Sequence, residues 1–363
     1  MGDNTLIPAQ IADISVDWLN ERLGDTVGTI TDASIANIGE GVGILGEVGR
    51  ITLTYADGET GPATMIAKCQ SIHAENVMLS QMMGFYVREV SFYQQLASTV
   101  DLRVPQCFIA DIADEGVPFV LILEDITGTR MIDQVEGATR EDTMLIAETV
   151  AALHATYWNN EALFALDWLP PMNNDLYKGA AGMVEANWNM FVERYTGRVD
   201  ADVVDAVERL TPKYTQMLDW WIDASPPTLA HTDCRAENYL FGTGEEIGQI
   251  TMLDFQLLTR HVGVYDIANF LGQSVTVEDR RAWQDEVVDH YHSTLLSRGV
   301  TGYDIEHCRR DYRYCLLHQA FGNVAVANID PGNDRGRLLL DAFVTRVFAA
   351  AADNNSVDLL SEF

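Results

Sequence analysis

A polar segment between residues 228 and 258 interrupts a long, mainly helical stretch of this sequence and constrains its fold more than any other feature. Short β-like runs at residues 239–241 and 250–253 lie beside the segment His231-Thr-Asp233-Cys-Arg235-Ala-Glu-Asn238. Apolar runs of this length, bounded by polar residues, indicate short strands joined by loops. The pattern therefore predicts a loop that carries polar side chains on a small β element within a helical region.

The first third of the chain has a different, β-rich pattern. Four apolar or alternating runs are typical of strands, and they lie at residues 50–55, 63–68, 107–110 and 119–123. Glycines are frequent at positions 39–49 before the first of these runs, and residues 75–97 have helical periodicity. We therefore expect an α+β protein with two lobes, a β-rich N-lobe at residues 1–125 and a mainly helical C-lobe at residues 126–363.

The charge of the chain limits its partners. It has 54 acidic and 23 basic residues, which give a formal net charge of -31. Such a surface repels nucleic acid and anionic membranes, so we expect neither as a partner. The charge would attract a cationic substrate, but it can equally serve solubility.

Cysteine usage and the N-terminus indicate a cytoplasmic protein. The five cysteines are scattered and form no CxxC pair or zinc-like cluster, so reduced thiols are expected. The first residues lack the basic and apolar regions of a signal peptide. No apolar run is long enough to predict a membrane span. The sequence does not indicate an oligomeric state.

The spacing of polar residues in the central segment suits phosphoryl transfer to an alcohol. Asp233 and Asn238 lie five residues apart on the predicted loop, and Asp254 follows at the end of an apolar run. One carboxylate can orient a hydroxyl, while an Asn/Asp pair supplies the oxygen ligands that Mg²⁺ prefers. Arg235 can reach a γ-phosphate as a fixed cation. The alternative is a structural ion pair of Asp233.

The same segment resembles a known catalytic loop. Residues 229–241 are similar to the catalytic loop of the aminoglycoside phosphotransferase and choline-kinase superfamily, which has a protein-kinase-like fold. Met252-Leu-Asp254-Phe-Gln256 resembles the metal-binding strand of that superfamily. The Asp-Phe-Gln ending and Leu121-Ile-Leu-Glu-Asp125 are most similar to the ecdysteroid kinase-like branch.

The resemblance implies roles for five residues. Asp233 matches the catalytic base or hydroxyl-orienting group, and Asn238 and Asp254 match the Mg²⁺ ligands. Lys68, on the second predicted strand, matches the lysine that contacts the α- and β-phosphates of ATP. Glu89, on the following helix, matches the glutamate that pairs with this lysine.

Four further residues match the nucleotide site by position. Gly41 and Gly43 lie in the glycine-rich stretch that would cover the nucleotide, where glycine lets backbone N–H groups approach phosphates. A flexible turn is the alternative for this stretch. Glu124 and Ile126 fall where the superfamily offers backbone groups to adenine.

Other matches have structural roles, and two residues depart from the pattern. His231 is expected to hold the loop, and Asp266 to brace it through its backbone. Thr232 replaces the glycine that is common between the histidine and the aspartate. Arg235 stands where the ecdysteroid kinase-like pattern often has tryptophan. This departure leaves the substrate class open, but it does not change the expected phosphoryl transfer.

The expected function is that of an ATP- and Mg²⁺-dependent small-molecule kinase. It would transfer the γ-phosphate to a substrate hydroxyl, with a sterol- or terpenoid-like alcohol as the first candidate. An aminoglycoside- or choline-type kinase with a cationic substrate is the alternative enzyme. A nucleotide-binding pseudokinase scaffold is the alternative outside enzymes.

Overall fold

The structure, a computed structural model, describes residues 7–24, 26–38, 45–330 and 333–362. The chain divides into two compact units. The first comprises Met1–Thr129 together with Thr251–Leu257, and the second comprises Arg130–Ile250 with Leu258–Phe363. The first unit therefore contains a short segment from the middle of the sequence.

The first unit contains a five-stranded antiparallel sheet with the strand order β1–β2–β3–β5–β4. Its strands are β1 (Ile30–Asn37), β2 (Gly46–Tyr55), β3 (Thr64–Gln70), β4 (Cys107–Ile112) and β5 (Phe119–Glu124). Its helices are α1 (Val16–Leu23), α2 (Ala74–Met83) and α3 (Phe85–Gln95), with 3₁₀ turns at Ile11–Asp13 and Phe255–Leu257. The four strands expected from the sequence are confirmed as β2 to β5.

Alternation along β3 determines which side chains enter the core. Met65, Ala67 and Cys69 are fully buried in one hydrophobic cluster with the apolar residues of α1. Successive side chains of a strand point to opposite faces, so Lys68 lies on the other face of the sheet. Lys68 pairs in register with Leu121 of β5.

The helix predicted at residues 75–97 is wrong in one respect, because it is two helices. Gly84 ends α2 with a φ of 71°, and α3 begins at the next residue. A left-handed residue breaks the helical hydrogen-bond pattern, and glycine adopts this conformation without a steric cost. The predicted apolar face of the second half, which includes Phe85, Val90 and Phe92, is buried.

The second unit is mainly helical, as expected. Its helices are α4 (Arg140–Tyr157), α5 (Asp175–Lys178), α6 (Ala180–Tyr195), α7 (Ala201–Leu210), α8 (Tyr214–Ala224), α9 (Val264–Ser274), α10 (Val277–Ser297), α11 (Ile305–Ala325) and α12 (Asp334–Asp353). The remaining short strands are β6 (Thr129–Arg130), β7 (Pro227–Ala230), β8 (Tyr239–Gly242), β9 (Ile250–Met252) and β10 (Thr259–Val262), of which Thr129, Thr251 and Met252 belong to the first unit. Further 3₁₀ turns lie at Glu161–Ala165, Thr211–Lys213, Ala236–Asn238, Gly244–Glu246 and Ser356–Glu362.

Two features of this unit matter for the site. The strands β7 and β10 pair antiparallel, with Ala230 opposite Thr259. This pairing fixes the position of Ala230, the last residue before the 231–238 loop. Helix α11 is the central helix, and it packs against α6, α9 and α12. In the part of the chain that the structure describes, no helix is both long and apolar enough to cross a membrane.

Candidate active site

The loop at residues 231–238 follows directly from the buried strand β7, and a single buried carboxylate fixes its backbone. Asp266 of α9 is completely buried and accepts hydrogen bonds from the backbone N–H groups of His231 and Thr232, both at 2.8 Å. The sequence-based expectation that Asp266 braces the loop is therefore confirmed. His231 is also fully buried, and its Nδ1 accepts a bond from the Asp233 amide at 3.3 Å, which agrees with a loop-holding role.

A second row of buried polar groups supports Asp266. The Nε2 of His154 lies 3.0 Å from the Asp266 carboxylate, and its Nδ1 lies 2.9 Å from the Tyr291 hydroxyl. Burial opposes ionisation of Asp266, but the hydrogen bond and charge of His154, with the His231 amide, hold the pKa of this carboxyl below its ordinary value. A Cβ at Gly263 would lie 2.6 Å from the Tyr291 hydroxyl oxygen, so this position requires glycine.

Thr232 shows why its position is commonly glycine in the superfamily. Its φ is 58°, in the left-handed region that β-branched residues rarely adopt. Such a conformation persists only where the surrounding contacts impose it. The bond from the Thr232 amide to Asp266 is a contact of this kind.

Asp233, Arg235 and Asn238 meet on the loop. The Asn238 Nδ2 donates to the Asp233 carboxylate oxygen Oδ2 and to the Asp233 backbone oxygen, both at 2.8 Å. The Arg235 Nε lies 3.2 Å from Asp233 Oδ1. The side chains of Asp233 and Arg235 are 18% and 22% exposed, so the cluster is accessible but largely desolvated. Because its amide nitrogen binds Asp233, Asn238 has its Oδ1 as the atom suited to a metal.

The sequence reasoning assigned no role to Glu237, which contacts this cluster. The Arg235 Nη1 donates to Glu237 Oε2 at 2.8 Å, and the Arg335 Nη2 of α12 lies 3.5 Å from Glu237 Oε1. Glu237 lies between Arg235 and Asn238 on the loop, so the sequence could have indicated that it contacts this cluster. Arg335 lies 98 positions further along the chain, and no sequence pattern links the two.

In the first unit, Lys68, Glu89 and Asp254 form a buried cluster. The Lys68 Nζ lies 2.7 Å from Glu89 Oε2 and 3.2 Å from Asp254 Oδ1. Burial disfavours the ammonium, but the two carboxylates outweigh it and raise the pKa of Lys68 above its ordinary value. Lys68 thus carries a fixed positive charge, and the ion pair with Glu89 that the resemblance implies is present.

Asp254 is held within the first unit by its own neighbours. The Gln256 Nε2 donates to Asp254 Oδ2 at 3.2 Å, and the Phe255 ring stacks on Phe92 of α3 with centroids 3.7 Å apart. Asp254 itself has a φ of 63°. The segment Thr251–Leu257 therefore groups with the first unit, whereas the sequence-based boundaries place it in the C-lobe.

The positions expected near adenine and phosphate differ in how far the structure describes them. Glu124 ends β5, and its amide donates to the Gln106 backbone oxygen at 2.8 Å. Ile126 follows the end of β5, within the described range. Gly41 and Gly43 lie outside the described residues.

A metal that binds together with a nucleotide needs few protein ligands. Among the described residues, no group of three or more His, Cys, Asp or Glu side chains could hold a metal ion alone. Mg²⁺ in phosphotransferases needs only one or two protein oxygens, since phosphate oxygens and water complete its shell. The Asn238 amide oxygen and the Asp254 carboxylate are oxygen ligands of the required kind.

An ion pair between a strand lysine and a helix glutamate, beside an aspartate, is a feature of kinase-like phosphotransferases. The model of the ecdysteroid kinase-like family matches residues 40–298, and the chain belongs to that family. The resemblance inferred from the sequence is thereby confirmed.

One curated relative is an uncharacterized kinase-like protein of Caenorhabditis elegans. It is 23% identical over 228 residues, which cover 59% of this chain and 57% of the relative. The chain therefore spans little more than half the length of the curated relative that it matches.

Solved structures confirm the predicted α+β, protein-kinase-like fold. A candidate aminoglycoside phosphotransferase from Ralstonia eutropha is 16% identical, with a TM-score of 0.57 over 94% of this chain and 97% of its own. An ethanolamine kinase from Plasmodium vivax is 13% identical, with a TM-score of 0.56 over 93% and 88%. The amicoumacin kinase hAmiN, solved with AMP-PNP and Ca²⁺, is 12% identical, with a TM-score of 0.51 over 90% and 88%.

Proposed function

We propose that this protein transfers the γ-phosphate of ATP to a hydroxyl group of a small molecule. The observation that carries the proposal is the geometry of Asp233, whose Oδ2 accepts hydrogen bonds from Asn238 Nδ2 and Arg235 Nε, while its Oδ1 lies 3.2 Å from the same Arg235 Nε. A carboxylate held in this way is oriented to accept the proton of an incoming hydroxyl once one of its bonds is exchanged. Membership in the ecdysteroid kinase-like family supports the same chemistry.

The residues of the second unit would act on the acceptor and the transferred group. Asp233 would orient the acceptor hydroxyl, and Arg235 would supply positive charge to the γ-phosphate. Neither role requires a covalent intermediate, because phosphoryl transfer is accelerated mainly by positioning and charge neutralisation. Asp266 would keep this loop in place through its two backbone contacts.

The residues of the first unit would act on the nucleotide. Lys68, oriented by Glu89, would contact the α- and β-phosphates, and Gly41 and Gly43 would cover them. Glu124 and Ile126 would offer backbone groups to adenine. Asp254, and Asn238 of the second unit, would each offer an oxygen ligand to Mg²⁺, which neutralises charge on the phosphates when it is bound. AMP-PNP in the amicoumacin kinase structure supports nucleotide use.

For the acceptor, we favour an apolar alcohol of the sterol or terpenoid kind. Membership in the ecdysteroid kinase-like family supports this choice. A cationic amino-alcohol is the second candidate, which the net charge of -31 and the ethanolamine kinase neighbour support.

The test is ATP turnover with two acceptor panels, one of sterol- and terpenoid-like alcohols and one of cationic amino-alcohols. Asp233→Asn is expected to lower turnover by about 10²- to 10⁴-fold, since it removes the proton acceptor but keeps the shape. Asp205→Asn, on the exposed face of α7, is the matched control and should match wild type. Turnover that is equal in wild type and Asp233→Asn would refute the catalytic role. Mg-ATP binding without turnover of any acceptor would favour a pseudokinase scaffold.

A further inference from the structure

A line of alternating charges leads from the candidate base to the C-terminal helix of the second unit. Its members, in spatial order, are Asp233, Arg235, Glu237, Arg335 and Asp133. The successive closest N–O distances are 3.2, 2.8, 3.5 and 2.8 Å. Three acidic and two basic groups alternate, so each arginine lies between two carboxylates.

Arg235 is shared between two competing acceptors. Its Nε edge faces Asp233, and its Nη1 donates to Glu237. The guanidinium is a planar fork whose donors can bind two carboxylates at once. A substrate hydroxyl that binds Asp233 Oδ1 would compete with the Arg235 Nε, which lies 3.2 Å from that oxygen. Glu237 then becomes the contact that keeps Arg235 in place.

Arg335 is anchored well enough to influence Glu237. It is the second residue of α12, and its Nη1 donates to Asp133, whose pKa is lowered chiefly by that hydrogen bond. Further along the helix, Arg346 is 8% exposed and donates to the backbone oxygens of Gln134 and Val135. Helix α12 is therefore hydrogen-bonded at two places to residues 133–135. The ion pair of Arg335 with Glu237 connects this helix to the 231–238 loop.

We propose that Glu237 is a positioning residue for Arg235. We also propose that Arg335, on α12, weakens the pull of the Glu237 charge on Arg235. Glu237 holds the guanidinium when Asp233 turns to the acceptor hydroxyl. Arg335 offsets part of the Glu237 charge, so that Glu237 does not withdraw Arg235 from the phosphate. The inference rests on the proposed function, because it assigns Arg235 to the transferred phosphate.

The first experiment does not depend on activity. The Arg235 Nε–H signal is followed by ¹⁵N NMR in selectively labelled protein and assigned with Arg235→Lys. Glu237→Gln is expected to speed exchange of this proton by about tenfold or more, because the charge-assisted bond to the guanidinium becomes a weaker neutral one. Arg337 is on the same helix and, among the described residues, pairs with Asp330 and Asp334, so Arg337→Gln is the matched control. Equal exchange in wild type and Glu237→Gln would overturn the proposal.

The second experiment measures turnover of Mg-ATP, alone and with an acceptor identified from the panels above. Glu237→Gln is expected to lower kcat by about 10- to 100-fold while the KM for ATP changes less than about threefold. Glu237→Asp, which keeps the charge on a shorter side chain, should lie between Gln and wild type. Arg335→Lys should keep most activity, and Arg335→Gln should lose several-fold.

The outcomes separate the two proposals. If Glu237→Gln keeps the wild-type kcat, or if Arg337→Gln lowers kcat equally, the positioning role is refuted. If wild type and Asp233→Asn are equally inactive, the proposed function fails, while the exchange rate of the Arg235 proton still decides whether Glu237 anchors it. A urea midpoint for each variant separates misfolding from loss of positioning, and Glu237→Asp serves if the Gln variant is unstable.

Discussion

Replacing Asp266 by alanine tests whether one buried carboxylate holds the 231–238 loop. Asp266 is fully buried and accepts the His231 and Thr232 amides at 2.8 Å and the His154 Nε2 at 3.0 Å. Alanine would leave these donors without an acceptor in a place that water does not reach. A buried donor without a partner costs about 1–3 kcal/mol. The two backbone amides alone therefore predict a loss of about 2–6 kcal/mol in the free energy of unfolding.

Asp266→Asn should be milder than alanine. Its amide oxygen can still accept one backbone N–H, but its amide nitrogen faces the other donor, so about half of the loss is expected. The pKa of Asp266 is lowered in the folded protein, although burial opposes this. The ionised carboxylate therefore contributes stability above its unfolded pKa of about 3.9, and the contribution is lost as the pH falls through the lower folded value. The difference between wild type and Asp266→Asn should shrink only below about pH 4.

The assay is urea unfolding at pH 7.5, followed by circular dichroism and by tryptophan fluorescence. Asp205→Ala on the exposed face of α7 is the control, and it should change the free energy of unfolding by less than about 0.5 kcal/mol. Two results would refute the reasoning. One is a loss below about 1 kcal/mol for Asp266→Ala with an unchanged denaturant slope. The other is an equal loss for asparagine and alanine, which would mean that the asparagine oxygen keeps neither backbone contact.

Three further predictions concern strain, charge pairing and protonation. Thr232→Gly should raise the free energy of unfolding by up to about 1 kcal/mol, because relief of the left-handed strain (about 1–2 kcal/mol) exceeds the added flexibility of the unfolded chain; a lower urea midpoint would contradict this. Lys68→Met should lower the free energy of unfolding by about 3–5 kcal/mol, because it removes the ion-pair partner of the buried Glu89. The double variant with Glu89→Gln should recover most of that loss in a double-mutant cycle. Burial lowers the pKa of His318 to about 4, so this residue stays neutral when folded and is protonated first in the unfolded chain. Stability should therefore fall from about pH 6.5 towards pH 4 by up to about 1.4 kcal/mol per pH unit from this group, and His318→Gln should flatten the profile of urea midpoint against pH.

Local patterns account for most of what the sequence predicts. The alternation that places Lys68 opposite the core side chains of β3 is a property of any strand, so both the strand and the outlying lysine were visible. Asp233 and Asn238 are five residues apart on one loop, which made their meeting predictable. Gly84 was visible too, but a helical period continued through it, and only the left-handed φ shows that two helices meet there.

Contacts between distant segments were beyond prediction for a physical reason. The ion pairs of Arg335 with Glu237 and Asp133 depend on where α12 lies against the rest of its unit. That placement results from many buried contacts, each weak and none with a spacing signature. The grouping of Thr251–Leu257 with the first unit also depends on a contact between distant residues, the stacking of Phe255 on Phe92.

The first unit includes a segment from the middle of the sequence, so it cannot complete its folding until that segment has been synthesised. Thr251–Leu257 supplies Asp254 to Lys68 and a ring to Phe92, yet it is translated about 125 residues after Thr129. At roughly 5–20 residues per second, the ribosome delivers it some 6–25 s later. During that interval the sheet and α3 have only one of the two carboxylates that balance Lys68, and an uncovered aromatic face at Phe92. A fragment that ends at Thr129 would keep that incomplete state permanently.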